Sequence, residues 1–111
     1  MRDYRLYLED ILKAIKSIER YTKKLTYKKF RNNELITNAT LRQLEVIGEA
    51  VKHIPEALRR KAQNTEWKRI AGLRDIIIHE YFGVDIDIIW DIIKNNIPEL
   101  KSIIKKLLSN K

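Results

Sequence analysis

The chain has 111 residues and no cysteine, with only three glycines and two prolines. That is one domain's length. It excludes a disulfide scaffold, a thiolate metal site and the turn-rich β folds, and it makes a reducing cytoplasm the expected setting. The formal net charge of +8 fits an anionic partner, nucleic acid first, or else a lysine-rich solvated surface.

The N-terminal "MRDYRLYLED" is charged throughout, and no apolar run approaches the roughly 18 residues of a membrane span. Neither a signal peptide nor a membrane is therefore expected. Tyr4, Tyr7, Leu8, Ile11, Leu12, Ile15, Ile18 and Tyr21 recur at the spacing of one helix face, predicting an amphipathic helix over 3–25. The polar, basic "TYKKFRNNE" follows as a connection or a short helical turn. A second helix is predicted over 34–53, with Leu41, Leu44, Ile47 and Val51 on its buried side and Ile54 just beyond. Pro55 ends it and falls in the favoured first turn of a short third helix, "PEALRRKA". Asn64 or Thr65 is positioned to cap a fourth helix over 66–82, which Gly83 stops. Ile86, Ile89, Ile93, Ile97, Leu100, Ile104 and Leu107 then mark one side of a last helical segment, and Pro98 within it predicts a break or kink near Asn95–Asn96. Gly48 and Gly72 each cost about 1 kcal/mol against alanine inside a helix. A packing reason is expected for both, the simplest being a close crossing of the second and fourth helices. The whole reads as an antiparallel four-to-five-helix bundle occupying 1–111.

The segment "RDIIIHEYF", 74–82, threads polar groups through an apolar run. At 100° per residue Arg74 and Tyr81 share a face, as do Asp75 and His79, while Arg74 and His79 lie about 140° apart and flank a groove. Asp75 is placed to hold one imidazole nitrogen. The chemistry suggested is RNA cleavage without a metal. A histidine takes the proton from a ribose 2′-OH or protonates the leaving oxygen, and an arginine fork holds the phosphate charge. One histidine is a thin site, and a dimer would supply two. Ile76 to Ile78 are the candidate dimer face. Each residue also has a plainer reading: a structural histidine, an arginine in a surface ion pair, a core tyrosine.

Several other features also carry a functional and a plainer reading. Lys28, Lys29, Arg31, Arg59 and Arg60 are either basic rims that contact phosphates, with aromatic help from Tyr27 and Phe30, or solvated faces. Asp85, Asp87 and Asp91 in "DIDIIWD" read better as helix capping than as a magnesium site. His53 reads as a cation at a helix C-terminus, and Trp67 and Trp90 as core or interface anchors.

"RDIIIHEY" also resembles the R-x4-H-x-Y signature of HEPN domains, specifically the HepT-like toxins of HEPN/MNT toxin–antitoxin systems. The flanking "LEVIGEAVKHIP", "WKRIAGLRDIIIHEYFGVD" and "IIWDIIKNNIPELK" are similar to that family as well, and the resemblance covers nearly the whole chain. It implies the all-α HEPN fold and a homodimer with a composite cleft. It further implies a metal-independent endoribonuclease acting on mRNA or tRNA, as the toxin of a type VII-like pair. By position, Arg74 and His79 would be catalytic and Asp75 supporting. Tyr81 would be modified with AMP, donated from ATP by an MNT nucleotidyltransferase antitoxin, and no other cofactor is implied. The rival reading is a non-catalytic helical binding module that pairs with a nucleotidyltransferase or binds nucleotide.

Overall fold

The computed structural model describes residues 3–79 and 85–109, and the side chains of these except at 74–79. Among the described residues the chain is helical throughout, as expected, with turns between. In order the helices are α1 (Tyr4–Thr22), α2 (Tyr27–Arg31), α3 (Glu34–Val51), α4 (Glu56–Arg59), α5 (Trp67–His79), α6 (Ile86–Asp91) and α7 (Ile97–Ser109). A 3-10 turn, Arg60–Ala62, extends α4. None of the described helices is long and apolar enough to cross a membrane.

The core forms where the amphipathic stripes meet. α1 buries Leu8, Ile11, Ala14, Ile15 and Ile18 against α3, which answers with Leu41, Leu44, Ile47, Ala50 and Val51. α7 lies along the other side of α1 through Leu100, Ile104 and Leu107. α5 packs on α3. Each fully buried Leu, Ile or Phe is worth about 1.5–3 kcal/mol, and this shared core places α5 on the bundle.

Three local outcomes refine or shift the expectation. First, α1 stops at Thr22 rather than near Leu25. Lys24 adopts the left-handed region at φ 66°, and the Leu25 N–H donates to the Thr22 carbonyl at 3.0 Å. The chain turns there so that Leu25 packs back on the core. Second, of the two readings of "TYKKFRNNE" the short helical one holds, as the five-residue α2. Thr26 caps α2 by accepting from the Lys29 N–H at 3.2 Å, and Phe30 is fully buried. The Thr37 hydroxyl donates to the Phe30 carbonyl at 2.9 Å, tying α2 to α3. Third, the irregularity expected near Asn95–Asn96 is there, with Pro98 in the first turn of α7, but it is not a break. A π-helical turn, Ile92–Asn96, joins α6 to α7, and the Ile97 N–H donates to the Ile92 carbonyl. Proline offers no N–H to the Lys94 carbonyl and would crowd it, so one wide turn takes up the misfit while the chain stays helical.

The glycines divide. α3 and α5 do pack together, and Gly48 is buried. At Gly72, however, a β-carbon would meet no described atom within 4 Å beyond its neighbours and its own helix backbone. The close contact expected there is absent among the described residues.

Candidate nucleic-acid site on the fifth helix

α5 begins with a well-made anchor. Trp67 is 7% exposed, and its indole N–H is shared between the carbonyls of Arg59 (3.3 Å) and Ala62 (3.2 Å). The first bond of the helix, from the Ile70 N–H to the Glu66 carbonyl at 3.0 Å, puts Glu66 in the N-cap place that the sequence suggested for Asn64 or Thr65. From Trp67 the backbone is helical through His79, so the angular relations among 74, 75 and 79 are those of an unbroken helix. The side chains of Arg74, Asp75, Ile76 to Ile78 and His79 lie outside the described residues, as does Tyr81 altogether.

The basic residues fall into two groups. Lys28, Lys29 and Arg31 are exposed on α2. Their expected aromatic neighbours have other tasks, because Phe30 is buried in the core with its ring 5.0 Å from Trp90. The Tyr27 hydroxyl donates to the Asp87 carboxylate. That hydrogen bond, with smaller help from desolvation and the charge of Asp87, raises the Tyr27 pKa above its ordinary 10.0. Lys94 sits 4.5 Å over the Trp90 ring, so the aromatic cluster joins α2 to α6 and the turn beyond it.

Arg59 and Arg60 belong to the second group. The Arg59 guanidinium donates to the carbonyls of Ile54 (3.1 Å) and Val51 (2.6 Å), closing the C-terminal end of α3. Arg60 meets Glu56 at 3.5 Å, both side chains well exposed. The two arginines line a wide, open groove together with Lys52, Lys68 and Arg69, and the carboxylates there are Glu56 and Glu66. Lys68 and Arg69 were not singled out from the sequence. The signal was "WKR" at the head of the same helix that carries the motif, but only the fold shows that the end of α3 and the α4 turn lie beside it.

Elsewhere a half-open pocket of about 220 Å³ lies between α3, α5 and α7, with Ile47, Ile70, Leu73 and Leu100 on its apolar side and Glu66, Arg69, Asn96 and Glu99 among its polar lining. The acidic residues of "DIDIIWD" are spent on helix structure. Asp85 caps α6 by accepting from the Asp87 N–H at 2.9 Å, Asp87 accepts from Tyr27, and Asp91 accepts from Asn95 at 2.6 Å. His53 follows the end of α3, 3.7 Å from Glu49 and stacked on Tyr7 with ring centroids 4.5 Å apart.

The family model described as "Ribonuclease HepT-like" matches residues 11–107. Among curated proteins, the chain is 41% identical over 106 residues to "Probable ribonuclease HepT" of Thermococcus cleftensis, covering 96% of each. It is 44% identical over 108 residues to "Putative RNase TTE0752" of Caldanaerobacter subterraneus subsp. tengcongensis, covering 97% of this chain and 96% of that one. It is also 41% identical over 107 residues to "Gamma-glutamylcyclotransferase and putative RNase MJ0434" of Methanocaldococcus jannaschii. That match covers 96% of this chain but only 48% of the longer relative. No solved structure matches the chain significantly. A family match over nearly the whole length, on an all-α bundle whose fifth helix carries R-x4-H in unbroken register, establishes that this chain belongs to the HepT-like ribonuclease family of HEPN proteins.

Proposed function

We propose that this protein is a metal-independent endoribonuclease, the toxin of a HEPN/MNT toxin–antitoxin pair, working as a homodimer. The observation that carries the reading is α5 itself, helical from Trp67 through His79 in a chain matched to a ribonuclease family. In this reading Arg74 and His79 flank the scissile phosphate. His79 removes the 2′-OH proton in one protomer, and the partner's His79 protonates the 5′ oxygen as it leaves. Arg74 holds the charge that builds on the phosphoryl oxygens. Asp75, one turn before His79, keeps the imidazole in the useful tautomer.

Lys28, Lys29, Arg31, Arg59 and Arg60 add long-range attraction for the RNA backbone. Tyr81 is the off-switch. AMP esterified to its hydroxyl by the MNT antitoxin places a bulky anion in the phosphate cleft and excludes RNA by charge and by size. The test is cleavage of an RNA by the purified protein in a chelator, repeated for His79→Ala and Arg74→Ala. Both substitutions should abolish cleavage with the oligomeric state intact. Cleavage that persists in either variant removes the proposed pair.

A further inference from the structure

We propose that one stripe of α5, running from Lys68 over Gly72 toward position 79, is the track on which a single-stranded RNA lies, with the basic groove at its head gripping the strand away from the cut. The proposal rests on the ribonuclease reading above and adds to it where the strand goes.

The register supplies the line. Positions 68, 72, 75 and 79 are separated by four, three and four residues, so position 79 lies within about 20° of three full turns from Lys68 and roughly 16 Å along the axis. That span matches about five stacked nucleotides at ~3.4 Å each. Lys68 is exposed, and no carboxylate among the described residues pairs with it. The groove it lines carries five cations and two carboxylates. The pairs Arg60–Glu56 and Arg69–Glu66, at 3.5 and 3.1 Å, are exposed on both sides. Exposed ion pairs of this kind are weak and screened, and a phosphate can replace either carboxylate.

Gly72 supplies the second, independent observation. It lies inside a helix, without the positive φ that would require glycine. No described atom beyond its neighbours and its own helix backbone lies within 4 Å of the place its β-carbon would occupy. Its helix cost of about 1 kcal/mol is therefore repaid neither by conformation nor by packing among the described residues. A bare stretch of helix is useful where a ligand must approach the backbone closely. The ligand is a polyanionic strand rather than a small anion, because the cations are spread over α4, the turn after it and α5 around an open groove. A second copy seated symmetrically on the groove at the head of α5 would bring its like charges together, whereas the dimer contact of the ribonuclease reading lies at the motif end of the helix.

The experiment uses the full-length His79→Ala protein, so that bound RNA stays whole, and measures anisotropy of a labelled trinucleotide and of a strand of about ten nucleotides. The parent should gain affinity steeply from the short strand to the long one. Lys68→Glu with Arg60→Glu should flatten that gain by roughly tenfold or more and lower the salt slope by about one per lost contact. Gly72→Leu should also weaken the long strand, with an unchanged circular dichroism spectrum and oligomeric state. Long-strand binding equal to the parent's in the double charge variant overturns the track, as does failure of the parent to bind either strand. So does a Gly72→Leu protein that binds normally but changes its oligomeric state, which would assign the stripe to a second copy. The ribonuclease reading fails separately, through absence of cleavage by the unsubstituted protein.

Discussion

Replacing Gly72 by alanine should stabilise this protein. The position is helical, its φ is not positive, and the added methyl would meet no described atom within 4 Å. Alanine removes the backbone entropy that glycine loses on folding, worth about 1 kcal/mol in a helix interior. With an unfolding entropy of roughly 2.1 cal/mol/K per residue, a chain of this length should melt about 4 °C higher. The assay is a thermal melt followed by helical circular dichroism, at two protein concentrations well apart, with urea titration as a cross-check. A rise that is the same at both concentrations supports an open face. A fall of 1 kcal/mol or so refutes it, and a fall seen only at the concentration favouring association would mean that another copy covers Gly72. Alanine that stabilises the fold while weakening long RNA strands would separate the residue's cost to folding from its use in binding.

Other substitutions probe what holds the bundle. Phe30→Ala empties a fully buried site under α2 and should cost about 3–5 kcal/mol in urea unfolding; a loss under about 1 kcal/mol would mean that α2 is not integral to the core. Lys24→Gly relieves the left-handed residue after α1 and should gain roughly 0.5–1 kcal/mol, whereas an unchanged or lowered melting temperature would contradict that conformation. Tyr27→Phe removes the hydroxyl that donates to Asp87. Because the folded Tyr27 pKa is raised above 10.0, the stability from this bond is complete below pH 10.0 and fades as pH climbs through the raised value. Urea midpoints of the parent should therefore fall more steeply above pH 10.0 than those of the variant, and parallel curves would discount the tie.

Where a helix carries its own apolar stripe, the sequence displays it openly. α1, α3 and α7 each repeat Leu or Ile at helical spacing, and the faces inferred are the faces that meet. α2 is obscure because a single apolar residue, Phe30, does the burying within a run of lysines and arginines. Pro98 was legible as a defect but not in its outcome, since a break and a π turn both answer a missing N–H, and the choice rests on packing along Ile93 and Ile97. At the site, the relation between Arg74 and His79 follows from helical periodicity alone. The groove does not, because Lys52, Arg60 and Lys68 come together only through the turns around α4. Arg59 shows the same limit: its carbonyl partners on Val51 and Ile54 are backbone atoms that no residue pattern advertises.

Those backbone contacts explain how a surface groove can be held at a fixed distance from a site about three turns away. Arg59 ties the end of α3 to α4, and its own carbonyl accepts from Trp67, the first residue of α5. A short series of hydrogen bonds thus joins the groove's floor to the start of the helix that bears the motif. Beyond Trp67 the link is the helix itself, unbroken through His79. On the reading proposed above, the phosphate grip and the cleavage motif are parts of one continuous helix and the turn bonded to it rather than of two loops. Under that proposal, binding energy gathered at the groove would position a strand at His79 without first ordering a flexible segment, which is the condition under which remote contacts accelerate a reaction.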